Sequence, residues 1–540
     1  MKEKKQHRLF SIESALIIGV LFVFILAVNA QQPPASPQQK KQQPPTKIIE
    51  FEADELRKSP IKDMQILKDN VVFYHEGAYM YCDSAYLYQV TNEFEAFSNV
   101  MINQGDTLFV YGDYLHYNGH TKLAKLRDNV RMEDEQATLF TDSLNYDRMD
   151  NLGYYFDGGM LVDEQNELTS YWGQYNPENN EALFSDSVKL INEQYTIFAD
   201  TLKYNTASKI ADILGPSTIV SDSGYIETTR GWYNTITDDS ELLDRSIVYS
   251  SNNDKALTGD TIYYNRASGY GIVHGNMVLQ DTVRKVILRG HFGYYDEKTE
   301  FALSSDSAFA IEYSQKDSLF IHGDTLTMFT DSVNREMKAY HNVRFYRNDL
   351  QGVCDSMEFI SKDSILYLFK DPILWHENNQ IIGDEMNIYM NDSTIDKVHI
   401  KKYAYSIQDR NKDDQYNQLK GRDMKAFFRD GSLYHILVEG DAESLYYLEE
   451  EEDGNIIGLN KTQSAYLSMD ILNNELQKLK LWSSTTAETT PLSLLKPEEK
   501  KLKDFIWYDN VRPLNKDDIF RIPKKNLNEP RQTPRRFERE

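Results

Sequence analysis

Outside the first thirty residues, no segment of this 540-residue chain sustains apolar side chains at i, i+3, i+4 and i+7. That absence excludes the helical and α/β classes. Cysteine is nearly missing too: Cys82 and Cys354 are the only two, too few for a disulfide framework or a paired-Cys metal site. Basic charge is short, with 59 Lys+Arg against 84 Asp+Glu and a formal net charge of -25. Nucleic-acid binding depends on neutralising phosphates with Lys and Arg, so this balance opposes it. There is no G-x-S-x-G, H-E-x-x-H, P-loop or D-x-D-x-D-G calcium loop, and the 11 His are scattered. The reading is therefore no enzyme, no catalytic residue, no metal and no cofactor. Carboxylate pairs abound in so acidic a chain, which leaves a β-helix carbohydrate-active enzyme open as the enzymatic alternative.

What is present is aromatic. The chain has 36 Tyr and 25 Phe at a mean hydropathy of -0.59, which suits long strands with one buried face. At the start, Lys2, Lys4, Lys5 and Arg8 precede an apolar run from Ala15 to Val28, and Val28-Asn29-Ala30 fits a small-x-small cleavage site. Residues 1–30 thus read as a signal peptide. A retained anchor is the alternative, but the run is shorter than the roughly 20 residues a span needs. Residues 31–47 form a Gln/Pro-rich linker, and strand-like sequence follows.

That sequence repeats. CDSAYLY from Cys82, GDYLHYN from Gly112, TDSLNYD from Thr141, ADTLKYN from Ala199 and GDTIYYN from Gly259 are variants of one strand, continued by GDTLTMF, CDSMEFI and GDEMNIY. Taking the second residue of each as an anchor, the anchors fall at 54, 83, 113, 142, 171, 200, 229, 260, 291, 324, 355, 384, 422 and 465. The spacing stays near thirty residues to about 390 and then loosens. The residue before each anchor is small. The residues two and four after it are apolar or Tyr and share its strand face, because side chains alternate with period two. A second strand follows about seventeen residues on, marked by a polar residue and then Val, Ile or Met: Asn70-Val71, Asn99-Val100, Asn129-Val130, Ser187-Val188, Asn276-Met277, Asn342-Val343.

A propeller needs longer units. A transmembrane barrel needs an uncharged outer face, whereas here the outward parity carries Lys, Arg, Asp and Glu. What remains is an elongated stacked β-repeat of about fourteen units. At about 4.8 Å per rung it is roughly 70 Å long, or longer if each unit gives two rungs. Cys82 and Cys354 then lie at least ~40 Å apart, well beyond a disulfide's ~7 Å.

Ala199-Asp200-Thr201-Leu202-Lys203-Tyr204-Asn205 resembles the A-D-x-L-x-Y-D strand of OstA-like domains, and Leu126-Arg127-Asp128-Asn129-Val130-Arg131-Met132 resembles the strand that pairs with it. The resemblance covers residues 48–400 well and 400–480 weakly. It implies a β-taco or jelly roll of two antiparallel sheets whose apolar interior holds lipid acyl chains. It also implies a place in lipopolysaccharide transport and outer-membrane biogenesis. The partners implied are lipopolysaccharide or a related glycolipid, and other OstA-like components joined by edge-strand addition. The location implied is the periplasm, with outer-membrane association left open. The inward stripe, and hence the lipid-binding set, is Leu115, Tyr117, Leu144, Tyr146, Leu202, Tyr204, Ile262, Tyr264, Leu326, Met328, Met357, Phe359, Met386 and Ile388. Residues 48–400 form the repeat region, 401–482 divergent repeats, and 483–540 a C-terminal capping segment and disordered tail.

Four points stay open in the residues themselves. The stripe is either a groove lining or plain core, and the latter gives a structural or adhesive scaffold without lipid. The anchor aspartates either ladder a cation or accept backbone bonds where strands bend. Gly173, Gly231 and Gly293 replace the usual Leu beside Trp172, Trp232 and Phe292, marking a bend or a close approach. The segment Trp507-Tyr508-Asp509-Asn510-Val511-Arg512-Pro513 either caps the last rungs or docks a partner.

Overall fold

A computed structural model describes residues 47–521 except 62, 332–333, 392–393, 412–413, 451–454 and 473–474. The expected signal peptide, most of the linker and the tail lie outside the described residues. All 42 strands, from Glu50–Glu52 to Thr486–Pro491, join one continuous antiparallel assembly. The all-β stacked-repeat class is thereby borne out.

Each strand of the early units is about eleven residues long and folds at its middle. Between Ala78–Tyr88 and Glu93–Gln104 the register runs from Tyr88↔Glu93 to Ser84↔Phe97, slips, and resumes at Tyr81↔Met101. The same slip recurs at Phe97/Val100, Arg127/Val130, Ser185/Val188, His274/Met277 and Tyr340/Val343. Two adjacent residues sit in the left-handed region at most of these slips: Asp69 and Asn70, Ser98 and Asn99, Asp128 and Asn129, His341 and Asn342. Such bulges bend a strand sharply, and Asn and Asp tolerate positive φ better than most residues. The bends align into a spine. In later units the strand breaks there into two shorter ones, as at Gly159–Val162 beside Leu152–Tyr155.

The spine explains two sequence signals. Asn70, Asn99, Asn129 and Asn276 each donate their side-chain amide to the anchor carboxylate sixteen residues earlier, on Asp54, Asp83, Asp113 and Asp260, at 2.6–2.7 Å. Asn342 does the same to Asp324 at 2.9 Å. These five anchor aspartates are thus braces at a bend, and among the described residues no group of three or more metal-binding side chains occurs. The residue before each anchor must be small because it lies inside the bend. A Cβ on Gly259 would come within 2.1 Å of Val273, and one on Gly383 within 2.4 Å of Ile400. Cys82 and Cys354 are unpaired, buried thiols in this slot, and burial pushes Cys82 up to about 12.

Folding every strand at the spine gives two half-sheets that face each other. Half-sheet one holds the stretch after each anchor, such as Tyr114–Asn118; half-sheet two holds the stretch before it, such as Leu108–Gly112. Their hairpin tips meet along the side opposite the spine, the mouth. Among the described residues, half-sheet one runs through 28 strands in one ladder from Glu55–Lys58 to Glu475–Trp482, so at about 4.8 Å per step it is roughly 130 Å long. Each unit therefore adds two rungs, and the assembly exceeds the one-rung length.

Side chains pack between the halves. Phe73 of half two stacks on Phe94 of half one with centroids 3.8 Å apart. The Gly slots are close approaches: a Cβ on Gly173 would meet the Tyr155 hydroxyl at 2.4 Å, and one on Gly293 would meet Met277 at 2.6 Å.

Beyond Pro491, residues 492–521 turn back as a strap across the outer face of half-sheet two. Buried Gln418 donates to the Lys500 carbonyl and accepts from the Leu502 amide, and buried Gln380 does the same with Ile506 and Tyr508. Each glutamine amide pairs with the strap as a peptide group would. Trp375, Tyr405, Tyr447 and Leu502 form a second core beneath it. The strap ends with Phe520 edge-on to Phe309. The segment read as a cap or a docking element thus lies on a sheet face of its own chain.

Candidate functional site

The interior between the half-sheets carries two continuous rows on half-sheet one. Leu115, Leu144, Leu202, Ile262, Leu326, Met357 and Met386 stand in the row nearer the spine, and Tyr117, Tyr146, Tyr204, Tyr264, Met328, Phe359 and Ile388 in the row nearer the mouth. All but Met328 and Phe359 are buried. The strand pairing reveals members that the repeat alignment passed over.

Followed across the pairs, the mouth row reads Phe94, Tyr117, Ala124, Tyr146, Gly153, Tyr175, Ala182, Tyr204, Ala211, Tyr233, Ser240, Tyr264, Gly271, Tyr295, Ala302. From Tyr117 on, tyrosine alternates with a small residue. A tyrosine on every strand would overfill the space, because directly opposed Cβ atoms are only about 5 Å apart. Past Ala302 the chemistry changes. The row continues as Met328, Met337, Phe359, Leu366, Ile388, Val398, Ala426, Ile436, Met469 and Leu479, with no hydroxyl.

The tyrosine rings fill the core and their hydroxyls reach the mouth. Tyr175 donates to Asp134 at 2.5 Å and Tyr204 to Asp163 at 2.6 Å, each carboxylate lying on a half-sheet-two tip. Tyr233 donates to Asp238 at 2.6 Å. Burial, and then the bonded carboxylate, raises all three phenols above their usual range. Burial, more than any nearby charge, takes Tyr146 up to about 12. Asp163 also holds Lys209 at 2.8 Å and accepts from the Gln165 and Asn166 amides. Burial opposes its charge, but these partners outweigh it and its carboxyl lies below the usual value. A hydrogen bond to an ionised group is worth about 1.5–3 kcal/mol, and losing one partner leaves the other buried.

These bonds belong to a seam. Glu76 pairs with Lys122 at 2.6 Å. Arg148 donates to Gln104, which donates to Asn151. Arg266 reaches Gln194, and Lys255 and Arg284 both meet Glu300. Each bridge joins opposite tips across the mouth. At the N-terminal end, Arg148 donates to the Tyr117 hydroxyl. That hydroxyl bonds His75 Nδ1 at 2.8 Å, and His75 Nε2 meets the Lys47 carbonyl at 2.9 Å. A carbonyl only accepts, so Nε2 carries the proton and Tyr117 donates to Nδ1. Burial lowers the His75 pKa.

Beyond Glu300, several inward side chains at the mouth are partly exposed, among them Met328, Met337, Phe359, Leu366, Met390, Ile395, Phe428 and Leu433, while Ile388, Val398 and Ala426 stay buried. A cavity of about 30 Å³ opens at the junction, lined by Leu279, Leu288, Tyr295, Ala302 and Met328 among others. At both ends of the assembly, backbone edges stand open among the described residues. Glu50–Glu52 and Glu55–Lys58 pair only with Met64–His75, while Glu475–Trp482 and Thr486–Pro491 pair only with Ile456–Leu472.

Residues 45–200 match the family model described as OstA-like protein. The expected resemblance is borne out there, over a shorter stretch than the repeat itself. A solved structure that resembles part of the chain is LptH from Pseudomonas aeruginosa, described as the LptA homologous periplasmic component of the conserved lipopolysaccharide transport device. It is 14% identical over 21% of this chain and 79% of that chain, with a TM-score of 0.19. No curated protein matches.

Proposed function

Taking the OstA-like resemblance as premise, we propose that the chain is a periplasmic scaffold that shelters lipopolysaccharide acyl chains on their way to the outer membrane. One observation carries this reading. An apolar interior runs unbroken between two half-sheets through every unit, sealed along the spine and, beyond Glu300, partly exposed along the mouth. The OstA-like match over residues 45–200 and the signal-like N-terminus support the location. The open edges at both ends suit strand addition by further OstA-like components, since unpaired backbone groups template another strand. No step in this role is chemical, so it calls for no catalytic residue and no cofactor.

The net charge of -25 makes hydrocarbon burial, not charge pairing, the source of affinity for an anionic glycolipid. Each buried CH₂ is worth about 0.8 kcal/mol. The test is an environment-sensitive fluorescent fatty acid added to the purified full chain. Its emission rises, and lipopolysaccharide displaces it while the deacylated polysaccharide does not. No rise, or equal displacement by both, overturns the reading.

A second reading, a scaffold with a closed core, is favoured by one fact. Leu115, Tyr117, Leu144, Tyr146, Leu202, Tyr204 and Ile262 are all at 0% exposure. The same displacement assay separates the two.

A further inference from the structure

We propose that the interior is divided: acyl chains enter and lodge only in the C-terminal units, from Met328 onward, while the tyrosine seam keeps the N-terminal mouth shut. This rests on the lipid-shelter reading and adds where the lipid sits and what restricts it.

Two independent features change at the same point. In the mouth row, the tyrosine–small alternation ends at Tyr295 and Ala302, and Met328, Met337, Phe359 and Leu366 follow. Exposure changes near the same point: Tyr117, Tyr146, Tyr204 and Tyr233 are fully buried and Tyr295 partly so, whereas Met328, Met337, Phe359 and Leu366 are partly exposed, with Ile388, Val398 and Ala426 buried beyond them. The bridges from Glu76–Lys122 to Arg284–Glu300 all lie on the tyrosine side. A guest in the N-terminal units must break buried, charge-assisted bonds and displace rings that already fill the space. In the C-terminal units it displaces flexible methionine side chains, which adapt to irregular shapes.

The chemistry of the space selects the occupant. Both half-sheets spend their backbone groups in their own ladders, so the interior offers an entering chain no backbone partners. A peptide there would bury unpaired N–H and C=O groups, which is costly. A hydrocarbon chain has none to bury. Facing sheets stand about 10 Å apart, which leaves room for an acyl chain once side chains shift. The occupant is therefore the acyl portion of a lipid, with its headgroup outside the mouth.

The experiment is global replacement of methionine by photo-methionine, near-isosteric, in the full-length chain. The protein is irradiated with lipopolysaccharide and the adducts are mapped by mass spectrometry. Met328, Met337 and Met390 report on the open segment. Met80 and Met132, buried and inward in the latched segment, report on the other. Adducts several-fold more abundant on the first set are expected. Equal labelling, or labelling mainly at Met80 and Met132, overturns the division and leaves the shelter reading standing. No adduct on any inward methionine overturns both. In a Tyr175→Phe, Tyr204→Phe variant that keeps its circular dichroism spectrum, Met132 should gain adducts. Unchanged labelling there removes the seam from the account.

Discussion

Tyr204 donates its hydroxyl to Asp163 at 2.6 Å across the mouth, from a ring buried in half-sheet one to a hairpin tip of half-sheet two. The two residues are 41 apart in sequence, as are Tyr175 and Asp134. The seam is thus written into the repeat: one strand supplies core and latch with a single side chain.

Tyr204→Phe keeps the ring and removes the latch. The expected cost is about 1–3 kcal/mol, the price of leaving a buried carboxylate one donor short. Urea denaturation of the variant measures it. A change below about 0.5 kcal/mol, the scale of an ordinary surface substitution, contradicts a structural seam.

Acid should act through Asp163. Its folded carboxyl lies below the usual value because Lys209, Tyr204 and two backbone amides outweigh burial. A depressed carboxyl contributes stability above its unfolded pKa, and that contribution is lost as pH falls through the folded one. Stability should therefore decline below about pH 4, near the unfolded aspartate value, and Asp163→Asn should flatten that limb. His75, lowered by burial, has the same sign: the unfolded state takes a proton first as pH falls below about 6.5. His75→Gln should make the range from pH 7 to 5 less destabilising. Thermal midpoints across pH check both, and an unchanged acid limb in each variant contradicts the assignment.

At the spine, Asn129 has φ 51° and braces Asp113 at 2.6 Å. Asn129→Gly keeps the backbone and loses the brace, whereas Asn129→Ala loses the brace and adds left-handed strain of about 1 kcal/mol. Ala should be the less stable of the two. The reverse order contradicts the bend geometry.

The strap depends on Gln380, which donates to the Ile506 carbonyl and accepts from both the Tyr508 amide and the Trp375 indole. Gln380→Ala strands buried groups on both sides and should cost about 2 kcal/mol or more. It should also speed proteolytic cutting within residues 492–521. An unchanged cutting rate contradicts docking through this side chain.

The repeat, its register and both inward rows were legible in the sequence, because a period of about thirty residues exposes every slot many times. Four features were not. The small partners Ala124, Gly153, Ala182 and Ala211 lie on the intervening strand, where they carry no apolar mark, and only strand pairing sets them beside the tyrosines. The Asn in Asn-Val was visible as a polar residue. Its partner, the anchor carboxylate sixteen residues earlier, appears only once the strand is folded at that point. Most seam bonds join residues 41 to 47 apart, and Arg266 and Gln194 stand 72 apart, more than one repeat unit, so no single motif contains both ends. The strap lies off the repeat altogether.

The most direct measurement of the central claim is the affinity of the full chain for lipopolysaccharide and for its deacylated form, with and without Met337→Glu. Met337 is inward yet partly exposed, so the fold accommodates a charge there that a hydrocarbon guest does not. The account predicts binding of the acylated form alone, weakened by Met337→Glu without loss of thermal stability. Equal binding of both forms, or binding indifferent to the charge, would contradict it.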